Sequence, residues 1–188
     1  MTTIYLNHKL GLLITDSRAT QTEVAFNFWN YVFPKIFKSK INTVGHTVVS
    51  QKSVWLYDKL FTASGNVWQI DKYLNYIIFG QEPNFAPEPE YNFNAMLISK
   101  SWVLCLDCEC GKLSKQFYCI GQNGTFTVSM GSGADHIIHL VYGNDMVNVK
   151  DLTEEYIISE FRNNVVLDPH SDDNINVYLF KEKTHVYK

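Results

Sequence analysis

The start of the chain constrains the fold more than any other stretch. Two apolar runs, 3–6 and 12–14, are joined by a short polar loop around Lys9 that ends in a glycine. Short runs of β-branched, aromatic and aliphatic residues on either side of such a loop predict a β-hairpin. With the turn centred on Lys9, Thr2 is expected to lie opposite Asp16.

This pairing would give Thr2 a chemical role. A threonine hydroxyl is a weak nucleophile at neutral pH and needs a base. If Met1 is removed, Thr2 carries a free α-amine, whose reference pKa of roughly 7.7–8.0 suits proton transfer near pH 7. The alternative is that Thr2 is an ordinary strand residue and Asp16 an ordinary turn residue, since threonine is common in strands.

Two short sequence patterns carry a family resemblance. The patterns are Thr-Thr-Ile at 2–4 and Asp-Ser-Arg-Ala-Thr at 16–20. Together they resemble the start of mature proteasome β subunits and of the bacterial HslV peptidase, both N-terminal nucleophile hydrolases. The resemblance implies an α+β fold, a four-layer αββα sandwich of two antiparallel sheets flanked by helices. It also implies that Thr2 is the nucleophile and that Asp16 belongs to its site.

A second pattern indicates the lysine of such a site. Residues 52–65 contain Lys52, then Leu-Tyr at 56–57 and a turn. A second lysine, Lys59, and an apolar strand that ends at Gly65 follow. This resembles HslV and implies that Lys52 is the active-site lysine and that the Gly65 N–H is the oxyanion donor. Asn66 stands where the family often has a second glycine. Because the stretch 21–51 is longer than in the family, three other lysines compete for the role: Lys35, Lys38 and Lys40.

The second half of the chain supplies the supporting residues that the resemblance implies. A Gly-Ser-Gly turn at 131–133 follows a strand-like segment, and the family's serine in this place implies a site role for Ser132. Asp168 and Ser171 match the spacing of a family motif before the last strand. Asp172 replaces the glycine of that motif. A cation site in this acidic cluster, or a plain polar turn, are the alternatives.

The remaining pattern fits one domain over 1–188, with an aromatic-rich insertion at about 21–51. Its segment 25–37 either covers the core or forms an exposed patch for a partner. Elsewhere, helical spacing, alternation and turn residues predict three helices, a hairpin around Gly111 and three further strands. The predicted helices are 66–79, a short one at 134–141, and 151–164; the strands are 95–98, 102–109, 116–120, 126–130 and 175–180.

Composition excludes several functional classes. A net charge of −3 does not favour nucleic acid or an anionic membrane as a partner. No apolar run approaches the roughly 20 residues that span a bilayer. The four cysteines, without an export signal, are expected to be reduced thiols buried in strands rather than zinc ligands, and the expected compartment is the cytoplasm. No cofactor is expected.

Three functions remain open from the sequence. The first is a threonine endopeptidase that acts on peptides or unfolded proteins, works inside a homo-oligomeric ring or stacked assembly, and is fed by an ATPase unfoldase. The second is a catalytically inactive assembly or interaction protein that retains Met1. The third is an amidase of the same superfamily that acts on small amides.

Overall fold

Two antiparallel five-stranded sheets form the body of the molecule. The computed structural model describes residues 2–19, 48–49, 52–121, 124–143, 148 and 151–187. Its strands are β1 (Ile4–Asn7), β2 (Leu12–Asp16), β3 (Arg18–Ala19), β4 (Val48–Val49), β5 (Ser53–Leu56), β6 (Lys59–Gly65), β7 (Phe93–Ile98), β8 (Trp102–Glu109), β9 (Lys112–Cys119), β10 (Thr127–Met130), β11 (Ile175–Leu179) and β12 (Thr184–Tyr187). The first sheet has the order β10-β1-β2-β11-β12 and the second β5-β6-β7-β8-β9, while β3 and β4 form a separate ribbon.

Capping residues mark the ends of the two longer described helices. They are α1 (Val67–Phe79), α2 (His139–Tyr142) and α3 (Glu154–Val165), with 3₁₀ turns at Pro89–Tyr91 and Ala134–Ile137. The Asn66 side chain accepts the N–H groups of Trp68 and Gln69 at the start of α1, and Gly80 ends that helix in the left-handed conformation. Thr153 caps α3 through the N–H of Tyr156.

Three apolar clusters show how the elements are layered. One joins Tyr5 and Ile14 of the first sheet to Phe161 of α3. A second joins the opposite face of that sheet to the second sheet and includes Leu6 from the first and Met96 from the second. The third joins the outer face of the second sheet to α1. The layers therefore run helices, sheet, sheet, helix, which is the αββα sandwich predicted from the sequence.

Strands β1 and β2 lie in the interior of the first sheet and are buried on both faces. Ile4 and Leu6 face the second sheet, whereas Tyr5 faces the helices. This alternation follows from the two-residue period of a strand. It explains why the hairpin reads as continuously apolar, and it brings the start of the chain to the middle of the molecule.

Most of the predicted elements are present within a few residues. The hairpin around Gly111, the strand before the Gly-Ser-Gly turn and the helix ending at Gly80 all form. Three of the described strands were not predicted: the two-residue strands β3 and β4, and β12, whose residues 184–187 carry little apolar pattern. Nearly all of the predicted insertion at 21–51 lies outside the described residues, as does segment 25–37. Among the described helices, none is both long enough and apolar enough to cross a membrane.

Candidate active site

Thr2 and Lys52 meet at the end of the two sheets. Lys52 directly precedes β5, and its Nζ donates a hydrogen bond of 2.7 Å to Oγ1 of Thr2. Thr2 is buried, and Lys52 is partly buried. An ammonium in this position lowers the cost of negative charge on the hydroxyl oxygen. The structure therefore brings together the predicted nucleophile and the predicted lysine.

Burial shifts the pKa values of the ionisable groups around this contact so that their neutral forms are favoured. Burial raises the pKa of Asp16 to about 6, although Lys52 and the N–H of Thr3 lower it. Burial lowers the pKa of Lys52, against the opposing effects of Asp16 and Asp172. A lysine with a lowered pKa, in contact with a hydroxyl, can exchange a proton with it closer to neutral pH than a solvated lysine can.

Asp16 lies opposite Thr3 rather than Thr2, so the predicted register is wrong by one residue. Ile4 pairs with Thr15, and the Thr3 N–H donates 2.7 Å to Asp16 Oδ1. The reason is the loop, in which Gly11 takes a left-handed conformation and bonds back to His8. This moves the centre of the turn half a residue beyond Lys9. Asp16 thus acts on Thr2 through the backbone of the next residue and through the charge of Lys52.

The predicted supporting residues Ser132, Asp168 and Ser171 form one hydrogen-bond network, and it binds the side chain of Thr3 rather than that of Thr2. The hydroxyls of Ser132 and Ser171 both donate to Oδ2 of Asp168. Since the Ser171 proton is used in this way, its oxygen accepts from Thr3 Oγ1, 2.9 Å away. The Gly133 N–H donates 3.0 Å to the same threonine oxygen. Sequence reasoning missed Thr3, although the Thr-Thr pair was the available signal.

The charge of Asp168 is stabilised by this network. Burial alone would raise the pKa of Asp168, but hydrogen bonds from Ser132, the His170 N–H and Ser171 together lower it below its ordinary value. An ionised Asp168 therefore fixes both serine hydroxyls, and through Ser171 it fixes Thr3.

The glycines of the Gly-Ser-Gly turn allow this close approach. Gly131 has φ 95°, and a Cβ there would lie 1.6 Å from the carbonyl oxygen of Thr2. A Cβ on Gly133 would lie 2.3 Å from Thr3 Oγ1. Any larger residue at either position would displace the start of the chain.

Ser64 contacts the main chain of Thr2 twice. Its Oγ accepts from Thr2 N at 3.3 Å and donates to the Thr2 carbonyl oxygen at 2.8 Å. Ser64 is buried near the end of β6. Sequence reasoning passed over this residue because the resemblance directed attention to the neighbouring Gly65.

The N–H of Gly65 is directed away from β7. Gly65 pairs with Phe93, and the next residue, Asn66, donates its N–H to Asn92 O at 3.0 Å. Because bonded and non-bonded pairs alternate in an antiparallel ladder, Gly65 belongs to a non-bonded pair. Its N–H therefore points to the side of β6 that carries β5 and Lys52. Gly65 also has φ 118°, and a Cβ there would collide with Asn92 and Phe93.

Asp172 adds a second carboxylate near the lysine. Its oxygens accept from the Ser17 hydroxyl at 3.2 and 3.4 Å, and its charge acts on both Lys52 and Asp16. In the part of the chain that the structure describes, no group of three or more His, Cys, Asp or Glu side chains is placed to hold a metal ion.

The four cysteines are free thiols, but only one of them fits the prediction of buried strand residues. Cys108 is buried, Cys105 is partly buried, and Cys110 and Cys119 are exposed. Cys110 lies in the turn of the β8–β9 hairpin, and Cys119 lies at the end of β9, the mostly exposed edge strand of its sheet. The three competing lysines, Lys35, Lys38 and Lys40, lie outside the described residues.

Comparisons of sequence find no relative: neither the protein-family models nor the curated proteins contain a match. Comparisons of structure find several similar proteins. Anbu (ancestral beta-subunit) from Yersinia bercovieri aligns with TM-score 0.54 and 10% identity over 100% of this chain and 86% of that chain. Anbu from Hyphomicrobium sp. strain MC1 aligns with TM-score 0.51 and 11% identity over 94% and 80% of the two chains.

Another solved structure, Thiobacillus denitrificans BPH, aligns with TM-score 0.50 and 10% identity over 94% of this chain and 95% of that one. Identities this low establish a shared architecture and leave chemistry to be argued from the site. The chain therefore shares the overall fold of these structures, including that of Anbu, described as an ancestral beta-subunit.

Proposed function

We propose that this chain is a threonine peptidase whose nucleophile is Oγ1 of Thr2 after removal of Met1. The observation that carries the proposal is the 2.7 Å hydrogen bond from Lys52 Nζ to that oxygen. The shifted pKa values of Lys52 and Asp16 around it are typical of sites that move protons. A partly buried lysine that served only packing would not need to contact the hydroxyl of Thr2.

In the proposed reaction Thr2 Oγ1 attacks the carbonyl carbon of a peptide bond. Its proton passes to the Thr2 α-amine, while Lys52 stabilises the negative charge that develops on Oγ1. The oxyanion of the tetrahedral intermediate accepts a hydrogen bond from the Gly65 N–H. Collapse expels the leaving amine, which takes the proton from the α-ammonium and leaves an ester on Thr2. Water then attacks the ester by the same route and restores the hydroxyl.

The other predicted residues support this centre indirectly. Asp16 holds the N–H of Thr3 and balances the charge of Lys52. Ser132, Asp168 and Ser171 hold the Thr3 side chain, so they fix the residue from which Thr2 extends. Position matters here because misplacing a reacting group by about 1 Å can cost roughly 100-fold in rate.

We also propose that the chain works in a homo-oligomeric assembly on peptides or unfolded proteins, with an ATPase unfoldase as a partner. Two exposed apolar side chains on α1, Trp68 and Phe79, are 56% and 64% exposed and would be covered by a neighbouring subunit. The similarity to proteins described as Anbu, an ancestral beta-subunit, supports the same proposal. The free thiols fit a reducing compartment such as the cytoplasm.

The test combines intact mass with covalent labelling of the natural protein. The mass should correspond to a chain that begins at Thr2. A β-lactone should acylate Thr2 Oγ1, and a peptide epoxyketone should bond to both the hydroxyl and the α-amine of the same residue. Both labels should disappear in Thr2→Ala and remain in Thr184→Ala, which changes an exposed threonine at the start of β12.

Each failure has a distinct meaning. Retention of Met1 in every preparation, with neither label on Thr2, would overturn the peptidase and favour an assembly protein without catalysis. Labelling by the lactone alone, with Met1 in place, would show an activated hydroxyl that does not use the α-amine. Turnover of small amides without turnover of peptides would favour the amidase.

A further inference from the structure

We infer that Ser64 is the positioning residue for the α-amine of Thr2, which it holds by bridging the two main-chain polar atoms of that residue. This inference rests on the proposed function, and it concerns a side chain that the predicted site does not include.

The hydrogens of the bridge are determined by its geometry. The Ser64 hydroxyl has one proton, and its Oγ lies 2.8 Å from the Thr2 carbonyl oxygen, which can only accept. The proton is therefore used there. Toward Thr2 N, 3.3 Å away, Ser64 presents only lone pairs, so the nitrogen must donate. Once Met1 is gone, one amine hydrogen is held by Ser64 and the amine lone pair is left for the proton of the Thr2 hydroxyl.

The bridge also fixes a torsion. One oxygen that bonds both the nitrogen and the carbonyl oxygen of a residue restricts rotation about its Cα–C bond. The first residue of a chain ordinarily frays because little ties it down. Here Thr3 is anchored by Asp16 and Ser171, and Ser64 extends that anchoring by one residue to the reactive end.

The Ser64 side chain is buried and closely surrounded, which restricts its rotation. Ser64 is 4% exposed, and a Cβ on Gly131 would lie 3.1 Å from its Oγ and 1.6 Å from the Thr2 carbonyl. The carbonyl of Thr2 is thus enclosed between Ser64 and Gly131. A serine at this position of β6 is placed to hold Thr2, because the strand's alternation turns its side chain toward the first sheet.

The experiment compares Ser64→Ala with Ser53→Ala, a matched control. Ser53 is equally buried in the adjacent strand, and its hydroxyl bonds to Thr62 rather than to Thr2. In Ser64→Ala the second-order rate constant for β-lactone labelling of Thr2 should fall roughly 10- to 100-fold, as expected for a misplaced reacting group. The loss should lie in the limiting rate at saturating lactone rather than in its apparent affinity. Ser53→Ala should label within about twofold of the wild type.

A direct readout separates positioning from general damage. In protein labelled with ¹⁵N-threonine, the pKa of the Thr2 amine should fall by about half a unit to one unit in Ser64→Ala. The reason is that an accepting hydroxyl stabilises an ammonium more than a neutral amine. The charged groups that act on this part of the site, Lys52, Asp16 and Asp172, are unchanged by the variant. Ser64→Thr, which keeps the hydroxyl, should restore both the pKa and the rate.

The outcomes distinguish this inference from the proposed function. If wild-type protein labels at Thr2 while folded Ser64→Ala labels equally fast with the same amine pKa, the role of Ser64 is overturned and the peptidase stands. The role of Ser64 is overturned in the same way if folded Ser64→Thr behaves like Ser64→Ala. If Met1 is retained, the peptidase fails, and the contact is tested on the Thr2 amide instead. Its hydrogen exchange should be at least tenfold faster in Ser64→Ala, and unchanged exchange would overturn the contact.

Discussion

Replacing Lys52 with methionine should raise the pKa of Asp16 well above its value of about 6. Methionine keeps a long flexible side chain and removes only the ammonium. Asp16 would remain buried, which is the main cause of its raised pKa, and would lose the nearby cation that lowers it. An opposite charge within a few ångströms lowers a carboxyl pKa by roughly 1–3 units, so Asp16 should titrate at about 7 or higher in Lys52→Met.

The same shift determines the pH dependence of stability. The folded pKa of Asp16 is about 6 and its ordinary value is 3.8, so the folded state binds more protons between these pH values. The free energy of unfolding should therefore fall as pH rises from about 4 to about 6, by about 3 kcal/mol from this group. In Lys52→Met the decrease should extend about one pH unit further, which adds about 1.4 kcal/mol.

The assay is an NMR titration of the Asp16 side-chain carboxyl, paired with urea unfolding at half-unit steps from pH 4 to pH 8. Asp16→Asn should lack this component of the slope, because the amide does not titrate. Asp173→Asn, which changes an exposed carboxyl beside the site, is the control and should keep the wild-type slope. An Asp16 pKa that stays the same or falls in Lys52→Met would show that the two side chains are not electrostatically coupled, and would refute the reasoning.

Three further predictions concern the residues around the first two threonines. Gly131→Ala should abolish lactone labelling or prevent folding, since its Cβ would overlap the Thr2 carbonyl, whereas Gly121→Ala has open space and should match wild type in Tm and labelling. Thr3→Val should lower the free energy of unfolding in urea by about 1–3 kcal/mol, because the Ser171 oxygen loses the hydrogen bond from Thr3 and the buried Gly133 N–H loses its acceptor; Thr3→Ser should recover most of this stability. Asp168 has a lowered pKa, so its ionised carboxylate stabilises the folded protein at neutral pH. This contribution to the free energy of unfolding is lost as pH falls below about 4. Asp168→Asn should therefore be less stable than wild type at pH 7, with a smaller difference at pH 3; an equal difference at both would contradict this.

Sequence patterns predicted most of the helices and strands because the hairpin, the helix end at Gly80 and the glycine turns are local features, whereas the αββα arrangement was implied by the family resemblance. The first hairpin follows from two apolar runs and a glycine, and α1 follows from its apolar spacing and from Gly80 at its end. The meeting of Thr2 and Lys52 could be predicted only through the family resemblance. They are 50 residues apart, and no periodicity specifies which strands of two sheets will come together.

Other parts of the site depend on details finer than a sequence pattern. The register of the first hairpin changes with the conformation of a single loop residue, Gly11, and a change of one residue moves Asp16 from Thr2 to Thr3. The role of Thr3 depends on the fact that Oγ1 of Thr3, rather than Oγ1 of Thr2, bonds to Ser171. The bridge from Ser64 depends on a side-chain rotamer at the end of β6. The last two of these are set by packing between elements that are distant in the sequence.

The interior position of β1 links the evolution of this site to that of the core. Residues 4–6 pack on both faces of the first sheet, so a change in any of them would shift the threonines that precede them. Selection for folding and selection for site geometry therefore act on the same short strand, and that strand has little freedom to vary. Change is tolerated more readily on exposed surfaces such as β9 and the loop after α1. A chain that shares its fold with a protein only 10% identical to it can in this way keep Thr2 and Thr3 fixed through the interior of a sheet.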